Sequence, residues 1–505
     1  MSRVEGVLRA VDDYANPMVV KELRQAVQSR LVIAVLMLSL LINILITSSF
    51  LASSNDFQLN RPAGQDLYQA LFGFLVVTCM IFVPLYTAIR MSMERNHSNI
   101  DLLFITTLAP GSIIRGKFWA AVALTGLIYS ACMPFLSFTY LLRGIDLPSI
   151  FCSLGFAFLC TVYTIMLAVF VGSVSGGAIL RILLGLGLVY TGGLMIASTL
   201  GMGIYIVHQG VGSLFGTTGA ITGVCVVLVS GLAGIILFYL LGVAAISAKS
   251  SNRMYPIRIF VSCCWLIWGI GSAIWSWIDG SGVPMMVWMF GSVIGLCIVL
   301  ALILCEREHW SPRVRRHIPR SLAGRFVAWL LYTGSAGGVL WSLLLAGSTL
   351  AAASWYHHHY ASQFGRTDFE ESRQGLGIAL MYTWCYALSG VFLRRWLAPR
   401  SSPVLSTVLG LVLLGLAGTI PLFIAYTMLG LRVRMHELPL PFIIANPFVM
   451  GDSLIDKGPV LTFLGCWSVL MLLLNIRWFR NQWNEFQRYE PATPADALTV
   501  TPLSS

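Results

Sequence analysis

The sequence predicts an all-α, polytopic integral membrane protein with about twelve transmembrane helices and both termini in the cytoplasm. Three observations carry this. Hydrophobic residues make up 57% of the 505 and charged residues only 10%, and the mean hydropathy is +0.80, far from a soluble domain. Twelve apolar segments approach the roughly 20 residues a helix needs to cross about 30 Å of hydrocarbon. Finally, 25 of the 32 Lys and Arg fall on one side of the resulting topology, the side the positive-inside rule makes cytoplasmic. Backbone groups in lipid must be paired internally, so the segments are read as helices.

In chain order the predicted spans are 31–51, 67–89, 118–141, 149–171, 182–207 and 221–246, then 259–278, 285–304, 326–350, 376–393, 404–429 and 460–476. None of them contains an Asp, Glu, Lys, Arg or His. That absence argues against an ion- or proton-coupled transporter, which usually carries such groups along its pathway. The first span is read as a retained anchor, because it is too long and too deep in the chain for a cleaved signal. Ten of the eleven cysteines lie within predicted spans, with Cys305 at an edge; no metal-ligand spacing joins them. The net charge of +11 suits anionic headgroups on the inner face, and no nucleic acid is expected as a partner. Glycines recur in the fifth span, and the expectation is close helix packing through small side chains.

The domain organisation follows from these spans. Residues 1–30 form a cytoplasmic tail and interfacial helix, 31–246 a first six-helix half, 247–476 a second, and 477–505 a cytoplasmic tail that is partly disordered. Asn16 caps, and Pro17 starts, a helix with apolar Val20, Leu23 and Val27 on one face; it is expected to lie on the inner membrane surface. Between the second and third spans, the segment 93–117 reads MERNHSNIDLLFITTLAPGSIIRGK. It is the stretch least explained by residence in lipid, amphipathic in its middle and suited to docking.

Gly111, Gly116 and Lys117 match GxxxxGK, the core of a phosphate-binding loop. The next residue is Phe118 rather than Ser or Thr, and the segment runs directly into a span, so a nucleotide site is not expected there. His357, His358 and His359 with Asp368, Glu370 and Glu371 occupy a predicted outer loop. Imidazole and carboxylate can bind zinc, but three consecutive histidines do not converge on one ion, and a solvated loop is the reading adopted. The outer segment 430–459 contains LPLPFIIANPFV, too short to span and broken by prolines, so an interfacial or re-entrant piece is expected.

The run NPMVVKELRQAVQSR, the six-span first half and the loop E-R-x-x-x-x-I-D-L-L-x-x-T-T-L-x-P with a following I-x-x-G-K resemble permease subunits of ATP-binding cassette exporters of type 2. The resemblance covers residues 16–246. It implies an elbow helix carrying Asn16, Pro17, Lys21, Glu22, Leu23 and Arg24. It also implies a loop that docks on a separate ATPase subunit, carrying Glu94, Arg95, Asp101, Leu102, Leu103, Thr106, Thr107, Leu108, Pro110, Gly116 and Lys117. The chain would then be a transport permease, not an enzyme, without a cofactor of its own, in a bacterial cytoplasmic membrane. Its partners would be the ATPase, the bilayer and a second permease copy or subunit. Ser98 and Asn99 depart from the Gly-Thr pair usual in the family, and the chain continues well beyond six spans. The echo between MERNH at 93–97 and CEREH at 305–309 suggests a duplicated, degenerate second half. A non-transporting membrane scaffold, or an intramembrane enzyme acting on lipid-linked substrates, are the alternative readings.

Overall fold

The computed structural model describes residues 17–53, 63–96, 109–142, 144–174, 178–216, 218–248, 250–280, 282–360, 366–401, 403–429, 444–447 and 457–488. All regular structure there is helical, and eleven of the described helices are long and apolar enough to cross a membrane. The protein is a multi-pass, all-α membrane protein. It divides into two compact units, Met1–Ser247 and Ala248–Ser505.

The first unit opens with α1 (Pro17–Val27), followed by α2 (Arg30–Ser53), α3 (Ala63–Asn96), α4 (Pro110–Leu141), α5 (Leu147–Ser173), α6 (Ala178–Gln209), the single turn α7 (Gly212–Phe215) and α8 (Thr218–Ile246). Helices α3 and α5 form its centre and pack on each other most extensively; α5 also meets α6 and α8, while α1 lies along α4. The core is continuous, from Leu67, Tyr68 and Leu71 of α3 through Ile114, Leu124 and Ile128 of α4 to Ile165 and Val169 of α5. With 34 and 32 residues, α3 and α4 run for about 50 Å at 1.5 Å per residue. They overshoot a bilayer core and carry their charged ends clear of it.

The second unit contains α9 (Tyr255–Asp279), α10 (Val283–Ile303), the turn α11 (Pro312–Arg315), α12 (Leu322–Leu331), α13 (Ser335–Tyr360), α14 (Arg366–Leu397), α15 (Val404–Leu429) and α16 (Lys457–Glu485). Helix α14 packs on α15 and α16, and α10 packs on α13. Tyr386 donates to the carbonyl of Ala445 at 2.5 Å and Asn446 to that of Gly418 at 3.1 Å. This fastens residues 444–447 of the expected re-entrant segment to α14 and α15; its remainder lies outside the described residues, apart from the start of α16.

Besides helices that run past the expected span ends, three features differ from expectation. The span expected at 326–350 is broken into α12 and α13 at Tyr332–Gly334, because other elements take the backbone groups of that corner. Asn252 accepts from the Thr333 amide at 3.0 Å, Glu306 accepts from the Gly334 amide at 2.8 Å, and Arg258 donates to the carbonyls of Leu330, Tyr332 and Gly334 at 2.8, 2.6 and 3.1 Å. The last span does not stop at 476: α16 continues to Glu485, and Trp478, Gln482 and Phe486 are buried, so the first part of the expected tail is folded against the second unit. The three histidines are not in a loop but form the last turn of α13. Among the described residues no group of His, Cys, Asp and Glu could hold a metal ion. The segment at 404–429 is helical throughout as α15, although its described apolar stretch, Val404–Ile420, is shorter than the eleven others.

Backbones approach closely where α14 meets α15. A Cβ on Gly390 would come within 2.2 Å of the Ser406 carbonyl oxygen, a contact no side chain can relieve. Gly390→Ala is therefore expected to destabilise the second unit by about 1–3 kcal/mol, the usual cost of overpacking, read as a lower melting temperature of the detergent-purified chain. An unchanged melting temperature would show that the two helices can part there without penalty.

Candidate functional site

The residues singled out in the sequence converge at one end of the first unit. Pro17 is the first residue of α1, and Pro110 the first of α4 after an extended Ala109, both where proline's missing N–H costs nothing. Glu22 faces inward from α1. Glu94 stands in the last turn of α3, and Lys117 two turns into α4. The Lys117 ammonium lies 3.0 Å from Glu22 Oε1 and 2.7 Å from Glu94 Oε2, with only 4% of its side chain exposed. Glu22 is equally buried, whereas Glu94 is half-exposed.

A second cation completes the set. Arg90, one turn before Glu94 on α3, donates to Gln25 Oε1 of α1 at 2.7 Å and to the Tyr86 hydroxyl at 3.1 Å. It sits within electrostatic reach of Glu22 and Glu94. Two carboxylates and two cations thus join α1, α3 and α4, and a small cavity opens between them, lined by Glu22, Tyr86, Arg90, Lys117 and Ala121 among others. Two carboxylates offset the cost of burying the lysine's ammonium, which alone would be high. Next to the set, Gly172 of α5 lets that helix touch α3: a Cβ there would meet the Ala88 carbonyl oxygen at 2.7 Å.

The remaining expected residues divide cleanly. Lys21 and Arg24 are exposed and Leu23 is half-buried. The inward face of α1 is Glu22 and Ala26, while Val27, expected on the apolar face, is 46% exposed. Gly116 is buried within α4. Arg95 falls on the last turn of α3. Asn16, Asp101, Leu102, Leu103, Thr106, Thr107 and Leu108 lie outside the described residues. Of the segment 93–117, the first four residues extend α3 and the last eight begin α4. Gly111 to Lys117, the phosphate-loop look-alike, is therefore helix rather than loop, with its amine already held by two carboxylates. Sequence reasoning missed Arg90, Gln25 and Tyr86. Arg90 was hidden because it directly follows an apolar span, where it reads as a topological charge and nothing more.

The second unit solves a similar problem differently. Arg258, 2% exposed in the first turn of α9, meets both oxygens of Glu306 at 2.7 and 2.6 Å. Burial pushes the Glu306 carboxyl up, and the guanidinium and the Gly334 amide pull it down. Glu308 accepts from Arg394 and from Trp478 Nε1, and His309 meets Glu485 at 2.9 Å. In the echoed motifs, Glu94 thus reaches a cation on the third long helix of its unit, and Glu306 one on the first.

Comparison with known proteins brings no family model, no curated protein and no solved structure into match with this chain.

Replacing Lys117 with Met leaves Glu22 buried without its bonded cation, and breaking such a pair costs about 3–5 kcal/mol. The expected result is a large loss of thermal stability, partly restored in the Glu22→Gln/Lys117→Met double variant, in which no buried ion is left alone. A double variant as unstable as the single one would show that the pair matters only through packing.

Proposed function

We propose that the chain is the membrane-spanning permease subunit of an ATP-binding cassette exporter of type 2, in a bacterial cytoplasmic membrane, driven by ATP hydrolysis in a separate ATPase subunit. The observation that carries this reading is the ion set of the first unit. Glu22 belongs to the segment resembling the elbow helix, and Glu94 and Lys117 to the two ends of the segment resembling the docking loop; one buried ammonium binds both acids.

The arrangement suits transmission. A partner pressing on residues 97–109 acts between two helix ends that the Lys117–Glu94 pair holds together at 2.7 Å. The displacement is therefore delivered to α3, α4 and α1 together rather than absorbed by fraying of the helix ends. Coupling of this kind needs a contact whose position differs between two states of the machine, and helix ends joined by buried charge would carry such a shift as one body. Apolar spans without charged residues in their middle suit an apolar or amphiphilic cargo.

The test is capture of the tagged full-length chain from its native membrane. A co-purifying protein with Walker motifs, in fixed stoichiometry, is the expected outcome; its consistent absence overturns the reading and favours a scaffold. In the same assay Asp101→Lys or Leu103→Glu is expected to reduce ATPase capture about tenfold, as for loss of a modest hot spot, with the chain's own melting temperature unchanged.

A further inference from the structure

The link between α10 and α12, together with the first turn of α12, is dense in arginine, and two sets among these arginines differ in their partners. Arg315 donates to the Gln487 carbonyl at 3.0 Å, and Arg325 to the carbonyls of Phe486 and Trp483 while lying 4.4 Å over the Trp483 ring. These hold the link against the end of α16. Arg307, Arg313 and Arg320 are exposed, and among the described residues no carboxylate pairs with them. The acids nearest in sequence are committed elsewhere, Glu306 to Arg258 and Glu308 to Arg394. The uncompensated charge therefore faces outward from a folded segment.

Helix α12 follows immediately. At 10 residues it is about 15 Å long, half of what a crossing requires. It buries Ala328 and Trp329 against the unit and exposes Leu322, Phe326 and Val327, at 78%, 42% and 53%. Only the corner Tyr332–Gly334 separates it from α13, a spanning helix, so α12 stands at the level where the hydrocarbon begins. An outward apolar row at that level, one turn beyond outward arginines, matches an interface of headgroups above and acyl chains below.

We propose that residues 307–327 form a binding surface for anionic phospholipid headgroups, with Arg307, Arg313 and Arg320 taking the phosphates and α12 lying in the interface with its apolar row among the acyl chains. An acidic protein surface would answer the arginines but not the adjoining Leu322, Phe326 and Val327. The inference needs only the membrane-spanning character of the chain and is independent of any ATPase partner.

The test measures retention of labelled phosphatidylglycerol and phosphatidylcholine by the purified full-length chain in mixed micelles. The wild type is expected to prefer phosphatidylglycerol, and the preference to weaken as salt is raised. In R307Q/R313Q/R320Q the preference should fall about a hundredfold, following from roughly fivefold for each arginine near an anionic surface. Leu322→Gln, at an exposed position, should weaken retention of both lipids without shifting the melting temperature. If the triple variant melts early, the single variants R313Q and R320Q, each at the wild-type melting temperature, carry the expected fivefold loss. Equal retention of the two lipids by the wild type, or an unchanged preference in well-folded variants, overturns the proposal. So does loss of an acidic protein partner from the triple variant with its lipid preference intact.

Discussion

A charge that is carried into a membrane protein must bring its counter-charge with it, and the first unit is built around one such requirement. An ammonium as buried as that of Lys117 persists only with acids at bonding distance, and here they come from two other helices. Helix α1 is amphipathic, and apolar side chains alone would not fix where along α4 it lies. Glu22 fixes that position, and the short side chain of Ala26 allows the approach. The same low dielectric that makes an unpaired ion costly makes the paired set specific in register: sliding α1 by one turn would strand Glu22 and leave Lys117 with Glu94 alone.

The second unit meets the requirement with a guanidinium, and the difference in chemistry changes the architecture. Lysine is a compact point charge and is answered by two carboxylates. Arginine presents a planar fork of donors, so Arg258 can hold Glu306 on one side and three backbone carbonyls on the other. Two of those carbonyls, of Leu330 and Tyr332, stand at the end of α12, while that of Gly334 also accepts from the Gly338 amide at 3.0 Å as α13 begins. One buried side chain thereby turns what reads as a continuous apolar segment into an interfacial helix, a corner and a span.

This explains which parts of the fold were legible. Helical spans were, because a run of about 20 apolar residues has no other stable form in lipid. Their ends were not, because the reading stopped each span at its first charge, whereas pairing lets the helix continue past it: α3 runs beyond Arg90 to Asn96, and α4 begins seven residues before Lys117. The corner at 332–334 was invisible for a related reason. Its cause, Arg258, lies more than 70 residues away, and Gly334 alone does not distinguish a break from a packing glycine. At the candidate site, Glu22, Glu94 and Lys117 were named by their motifs, but nothing in the spacing said that they meet. Gln25 and Arg90 looked like ordinary interfacial polar residues until their mutual bond was seen.

The distribution of polar bonds within the first unit bears on how such a bundle could move. Along the spans, hydroxyls mostly bond within their own helix, Thr125 to Ala121 at 3.0 Å, Thr161 to Ala157 at 2.8 Å and Thr164 to Thr161 at 2.8 Å, and so leave neighbouring helices joined by apolar contacts alone. Polar links between the long helices are sparse, as where the Tyr68 and Ser153 hydroxyls meet at 2.5 Å and Asn43 donates to the Cys132 sulfur at 3.4 Å. Ionic links occur only at the end bearing Lys117, among the described residues. Apolar contacts tolerate small sliding and repacking, while a buried ion set holds its geometry or breaks. A bundle so arranged can rearrange along its length while one end moves as a unit, which is the mechanical property that the proposed role as a driven permease requires.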